Sequence, residues 1–252
     1  MADYTIRHWT VATTSVGSSK DDAIEIRVNN RGAVRQAIFD QLRAKNVQVQ
    51  ERSAWHALDI AKGAEKDWNY DAIAIHHAGN SFSCSADGAD QMRKVEAIDV
   101  RNFGRVSYHY AIDCQGIIYE ALDIRYKGNH IELGNSRVIG IVLLADLSLP
   151  GEGMEEGPGI WKKYKEKGMK VAAREFLGIA KDAVDVVYDV PSEAQIESAS
   201  KLCATLADYF NIVKLGGHRE FAKTLGDNRA CPGGYGMTVA SMLRRELGVA
   251  AP

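Results

Sequence analysis

The chain has no apolar run of the roughly eighteen residues that a membrane-spanning helix requires, so no spanning segment and no membrane insertion are expected. It also lacks an excess of either charge. With 31 Lys and Arg against 33 Asp and Glu, the formal net charge is −2. Such a balance gives no global field for nucleic acid or an anionic membrane, so any partner must be recognised by a local site. Cysteine is scarce. Cys84, Cys114, Cys203 and Cys231 permit two disulfides, but 252 residues of which 46% are hydrophobic make a core that does not need them. Cys203 reads instead as a buried helix residue, with Ala199, Leu206 and Phe210 at helical spacing. Cys114 falls in a hairpin turn before Gly116. The opening residues Met1 to Thr5 show no basic segment leading into an apolar one, so no secretory signal is read. Synthesis as a soluble cytoplasmic chain is expected. Repeats and low-complexity tracts are also missing.

What is present alternates between helical and extended patterns. Tyr4–Thr14 is rich in Thr and Val and suggests a strand, and residues 17–19 a loop. After the turn signal Asn29-Asn30-Arg31-Gly32, a helix of about four turns is expected through Val34, Ile38, Leu42 and Lys45. Ala72-Ile73-Ala74-Ile75, within Tyr70–His76, fits a buried strand. Residues 88–101 suit an amphipathic helix through Met92, Val95 and Ile98. Tyr108–Asp113 and Ile117–Ala121 flank Cys114-Gln115-Gly116 as a hairpin. Val138–Ala145 reads as a second central strand. Gly/Pro punctuation and a Lys/Glu-rich stretch at 150–190 suggest an inserted module of surface helices. Ser192-Glu193-Ala194-Gln195 is a capping box opening a helix to about Tyr209. A short strand at Val213–Leu215 and a last helix at about 236–247 complete the pattern. The fold class is therefore α/β, a single mixed sheet flanked by helices. Residues 1–50 read as an N-terminal extension of unassigned role, and 51–252 as the main domain carrying the insertion.

Three residues stand at strand or loop ends with side chains suited to a metal. His76 closes the run Ala72–Ile75. His218 follows Val213–Leu215 through Gly216-Gly217. Cys231 lies in Arg229-Ala230-Cys231-Pro232-Gly233-Gly234. Two imidazoles and a thiolate are borderline-to-soft ligands, and three protein ligands leave one position open for a water or substrate. Each residue alone would ordinarily be a core or surface residue.

Seven motifs in order carry a resemblance. They are Arg52-Ser53-Ala54-Trp55, Ile75-His76-His77-Ala78-Gly79, Ser107-Tyr108-His109-Tyr110-Ala111-Ile112-Asp113 with Gly116 after it, Gly128-Asn129-His130, Asn135 before Ile139-Gly140-Ile141, Gly217-His218-Arg219-Glu220, and Cys231-Pro232-Gly233. From about 50 to 248 the chain resembles the N-acetylmuramoyl-L-alanine amidases of the phage-lysozyme and peptidoglycan-recognition-protein superfamily. The resemblance implies hydrolysis of the amide between muramic acid and L-alanine in peptidoglycan. It implies Zn2+ held by His76, His218 and Cys231, with Tyr108 orienting the reacting groups and Arg229 stabilising the oxyanion. It also implies His130 and Asn135 beside the substrate cleft. Some members carry Lys or Thr where Arg229 stands, and an Arg cannot give up a proton as a Lys can.

His77 competes with His76 as a ligand, but neighbours on a strand point to opposite faces. Two other functions remain open at this stage. One is a non-catalytic peptidoglycan receptor, which typically lacks a ligand residue. The other is a cytoplasmic amidase recycling anhydro-muropeptides, which carries Asp in place of the Cys. Without a signal peptide, action on the wall requires release by a phage holin or injection by a secretion system. The second route would add a secretion or immunity protein to the partners.

Overall fold

The computed structural model describes residues 30–58, 64–79, 82–149, 152 and 189–252. The Tyr4–Thr14 strand and the inserted module at 150–190 lie outside these residues, apart from Glu152 and the module's last two positions. Among them, six strands form one sheet in the order β1-β4-β3-β5-β2-β6. These are β1 (Val49–Gln50), β2 (Ala72–His77), β3 (Tyr110–Ile112), β4 (Ile118–Glu120), β5 (Val138–Leu143) and β6 (Lys214–Gly217). The β3–β4 pair is antiparallel and the other pairs are parallel, so the sheet is mixed. Five helices among the described residues flank it: α1 (Asn30–Ala44), α2 (Gly88–Phe103), α3 (Glu193–Tyr209), α4 (His218–Thr224) and α5 (Gly233–Leu247).

β2 is the organising strand. It pairs along its length with β5 and on its other side with β6. Strands covered on both faces read as continuous apolar runs, and β2 and β5 do. Their alternate residues divide the core. Ile73, Ile75, Ile139, Ile141 and Leu143 pack with Ile38, Phe39 and Leu42 of α1, Leu202 and Leu206 of α3, and Val239 and Leu243 of α5. On the other face, Met92 and Val95 of α2 pack with Ala111, Tyr119 and Val142, while Phe221 of α4 packs with Ala72, Ala74 and Val138. The second face is poor in side-chain volume at the middle of the sheet. Ala74 stands in register with Gly140 on one side and Gly216 on the other. That row leaves room above the sheet.

Residues 30–50 share this core and sheet. α1 is tied to β4 by Arg35, whose Nε and Nη2 donate to the two carboxylate oxygens of buried Glu120, both at 2.5 Å. The Arg52–Trp55 motif locks onto the same strand. Trp55 Nε1 donates to Glu120 O at 3.0 Å, and Arg52 donates to Ala121 O.

Several expectations are corrected. Cys84 and Cys114 form a disulfide, with Cα atoms 5.3 Å apart, joining the β2–α2 connection to the β3–β4 turn. Composition argued only that a bond was not needed and could not see that two loops meet. Cys203 is buried and free, as expected. Ser192 caps α3 by accepting from Gln195 N at 3.0 Å, but the Gln195 amide donates to Ile112 O rather than closing the box. Tertiary packing took that side chain. The last helix begins at Gly233, and α4 was not foreseen. The hairpin turn is held by Asp113, whose Oδ1 accepts from Gln115 N and Ile117 N, and it needs Gly116 at φ +82°.

His109 pins β3 to β5 from within. Its Nδ1 accepts from Gly140 N at 3.0 Å, so Nε2 carries the hydrogen and donates to Tyr126 O at 3.0 Å. Burial holds its pKa down, from 6.5 to about 4. A base with a depressed folded pKa binds fewer protons folded than unfolded, so its stabilising contribution is complete above about 6.5 and is lost as pH falls toward 4. The urea midpoint should therefore drop over that window, and His109→Gln should flatten the slope; an unchanged slope would contradict the assignment. Separately, replacing both Cys84 and Cys114 by Ser removes a cross-link across 30 residues. Chain entropy sets the expected loss at about 3–4 kcal/mol, read from urea unfolding in the absence of reductant.

Candidate metal centre

The register of β2 brings three distant segments to one point. His76 is fully buried at the end of β2, opposite Val142 of β5. His218 begins α4 directly after β6, whose Gly217 pairs with Ile75. Cys231 comes from the loop between α4 and α5. The ligand atoms of His76, His218 and Cys231 all lie within 4.8 Å of one another. Cys231 Sγ is 3.5 Å from His76 Nδ1. With metal–nitrogen bonds near 2.0–2.1 Å and a metal–sulfur bond near 2.3 Å, the nitrogen–sulfur edge of a tetrahedral zinc shell is about 3.5 Å. The donor set and this edge fit zinc, and Nδ1 is the His76 nitrogen that faces Cys231.

The cysteine loop is held by Arg219, which follows His218. Its backbone N donates to Cys231 O at 2.8 Å, its Nε to Arg229 O at 3.2 Å, and its Nη2 to Ala230 O. The same guanidinium pairs with Glu152. The second oxygen of Glu152 accepts from Leu149 N and Gly234 N, at the start of α5. Reasoning from sequence missed both residues. Arg219 was quoted only as part of a motif, and its grip on three successive residues could not be inferred from spacing. Glu220, which closes the same motif, braces β6 against α5. It accepts from Gly217 N at 2.9 Å and pairs with Arg244 of α5.

Burial dominates the electrostatics. It pushes His76 well below the usual imidazole range, helped by His218 and His130. It pushes His218 down to about 4, aided by Arg229. The Cys231 thiol is pushed up to about 12 by burial, against the downward pull of the His77 backbone amide and of Arg219 and Arg229. The metal-free cluster is thus neutral, with imidazole lone pairs open to a cation rather than to protons.

The other candidate residues are distributed as follows. The Tyr108 ring lies 5.0 Å from that of His76, and burial raises its phenol well above its usual value. Arg229 is held by Asp227 Oδ2 and Glu132 Oε2, both at 2.6 Å. His77 points to the other face, where its Nδ1 accepts from Leu147 N at 3.2 Å. Burial keeps it near 4, outweighing Asp146 and Glu152. His130 is only 7% exposed and lies against His76, its Nδ1 3.1 Å from His76 Nε2. Asn135 spends its side-chain oxygen inside the same loop, accepting from His130 N at 2.7 Å and Ile131 N at 2.8 Å. The structure therefore gathers His76, His218, Cys231, Tyr108 and His130, and leaves Asn135 as the brace beneath His130.

Residues 68–234 match the family described as N-acetylmuramoyl-L-alanine amidase. The chain is 29% identical over 96 residues to human peptidoglycan recognition protein 3, a match covering 37% of this chain and 28% of that protein. Its fold is similar to that of wild-type Drosophila PGRP-LB, with a TM-score of 0.53 at 21% identity over 76% of this chain and 91% of the other. It is also similar to the endolysin N-acetylmuramoyl-L-alanine amidase LysCS from Clostridium intestinale URNW, with a TM-score of 0.52 at 16% identity over 80% and 96% of the two chains. At these identities the structural likeness is one of fold. The family match spans most of the chain and includes His76, His218 and Cys231, and the chain belongs to the N-acetylmuramoyl-L-alanine amidase family.

Proposed function

We propose that this protein hydrolyses the amide bond between N-acetylmuramic acid and L-alanine in bacterial peptidoglycan, using one zinc ion held by His76, His218 and Cys231. The observation that carries the reading is the convergence of those three ligand atoms within 4.8 Å, beside the Tyr108 ring. The chemistry such an ion supplies when bound is Lewis acidity toward the amide carbonyl and toward an attacking water. A receptor without activity has no need of a complete ligand set, which favours the catalytic reading.

The residues divide the remaining work. Tyr108 keeps its proton at neutral pH because burial raises its pKa, so it serves as a hydrogen-bond donor and not as a base. It donates to the amide oxygen as negative charge develops there. Arg229 stays charged throughout and adds a positive field, which Asp227 and Glu132 partly offset while they orient it. Since Arg229 cannot release a proton, the departing amine takes one from the attacking water. The substrate partner is a muramyl peptide, met at the cell wall after release or delivery of the enzyme.

On purified cell-wall sacculi, the wild type should release free L-alanine amino groups without creating new reducing sugar ends. Tyr108→Phe should retain one zinc per chain and lose turnover by on the order of a hundredfold, the usual effect of removing one donor to a developing oxyanion. Arg229→Ala should lose less, about tenfold, because its charge is already shared with two carboxylates. Cys231→Ala should lose both zinc and activity while keeping its circular dichroism. A Tyr108→Phe enzyme that cleaves at the normal rate, or a wild type that binds sacculi and releases no amines, would overturn the proposal.

A further inference from the structure

His130 bonds directly to one of the three clustered residues and is itself only 7% exposed. Its hydrogen-bond pattern can be read from the geometry. His130 Nε2 lies 3.3 Å from Val138 O. A carbonyl only accepts, so that nitrogen carries a hydrogen. His130 Nδ1 lies 3.1 Å from His76 Nε2, and one hydrogen must sit between them. Were it on His130, that ring would be a cation enclosed by His76, His109 and His218, at a heavy desolvation cost. The hydrogen therefore belongs to His76, whose Nε2 donates to His130 Nδ1. His76 Nδ1 is then bare, and it is the atom that faces Cys231 Sγ at 3.5 Å.

The surroundings are shaped to this ring. A Cβ added at Gly140, in the middle of β5, would lie 2.6–2.8 Å from three atoms of the His130 imidazole, and one at Gly128 would lie 2.6 Å from its Cδ2. Glycine weakens the interior of a strand, and its presence there commonly marks a close approach of another group. Gly140 belongs to the row Gly140–Ala74–Gly216 that keeps this part of the sheet low. Asn135 secures the loop from below through two backbone amides.

We infer that His130 is a positioning residue for the metal centre: it accepts the Nε2 hydrogen of His76, fixes the tautomer that presents Nδ1 to the metal, and sets the angle of the ring. The inference rests on the zinc site proposed above. It gives a buried histidine, Gly128, Gly140 and Asn135 one common purpose, and it replaces substrate contact as the role of His130 and Asn135. Outer partners of metal-bound histidines typically contribute about 10–100-fold in metal affinity.

The test uses the full chain, stripped of metal and titrated with cobalt(II) and zinc against a chromophoric chelator. Thiolate-to-cobalt absorption reports on Cys231. If the wild type binds neither ion, the metal centre itself is wrong and the inference goes with it. Provided it binds, His130→Phe, which fills the space without an acceptor, should bind about 10–100-fold more weakly. His130→Gln, which keeps an acceptor, should bind more tightly than the Phe variant. Both metal-free variants should keep the far-ultraviolet circular dichroism of the metal-free wild type. Phe binding within about twofold of wild type, or Gln and Phe binding equally, would overturn the role of His130 and leave the metal centre standing. Should the Phe variant not fold, zinc-loaded wild type labelled with 15N-histidine decides the matter. A scalar coupling across the hydrogen bond between His76 Nε2 and His130 Nδ1 supports the inference. A hydrogen on His76 Nδ1, or no coupling, overturns it.

Discussion

Parallel pairing of β2 between β5 and β6 is the constraint on which the rest of the molecule depends. In register, it sets His76 beside Val142 and Ile75 beside Gly217, and so decides where the chain must leave β6 and enter α4. His218 is the first residue after that exit. A slip of one residue would turn every β2 side chain to the opposite face. His77 would then replace His76 above the small-residue row, and Ile73 and Ile75 would leave the core they share with α1, α3 and α5. Hydrophobic burial on one face thus enforces the placement of polar groups on the other.

Imidazoles are costly to bury unpaired, and the fold gives His77, His109 and His130 hydrogen-bond partners. His109 bonds to Gly140 N and Tyr126 O, His77 to Leu147 N, and His130 to Val138 O and His76. All three rings are driven toward neutrality by burial. A neutral imidazole has one donor and one acceptor, so two fixed partners determine its tautomer. Positive charge is kept at the edge of the cluster, on Arg219 and Arg229, each paired with carboxylate. Arg219 and Glu152 make the cysteine loop part of this framework instead of an independent surface turn.

Much of this was legible in the sequence where a local pattern carries the information. The Ala72–Ile75 and Val138–Ala145 runs, the Val34/Ile38/Leu42 spacing and the Cys114-Gln115-Gly116 turn each report their own backbone. The clustering of His76, His218 and Cys231 was legible only through a series of motifs in a fixed order, because strand ends meet through a register that no short segment encodes. What could not be read were contacts made between segments. Cys84 and Cys114 sit in unrelated loops. Gln195 looks like half of a capping box until Ile112 O claims its amide. Gly140 looks like an ordinary interruption of an apolar run until the His130 ring is laid over it. For His130 the resemblance implied a place beside the substrate cleft, and its contacts with His76 and Val138 O, from which the positioning role is inferred, could not be read from the chain.

The Cys84–Cys114 bond bears on where this molecule can exist in its described form. Disulfides persist in oxidising surroundings and are kept reduced by the thiol pool of an ordinary cytoplasm. The chain therefore has two covalent states, one with the turn before β4 clasped to the approach to α2 and one without. Which state a given molecule occupies is a record of its surroundings. Ser192, at the head of α3, donates to Cys114 O, so the clasp adjoins the helix that seals the opposite face of the sheet. The state of this one clasp is thus a property of the compartment as well as of the sequence.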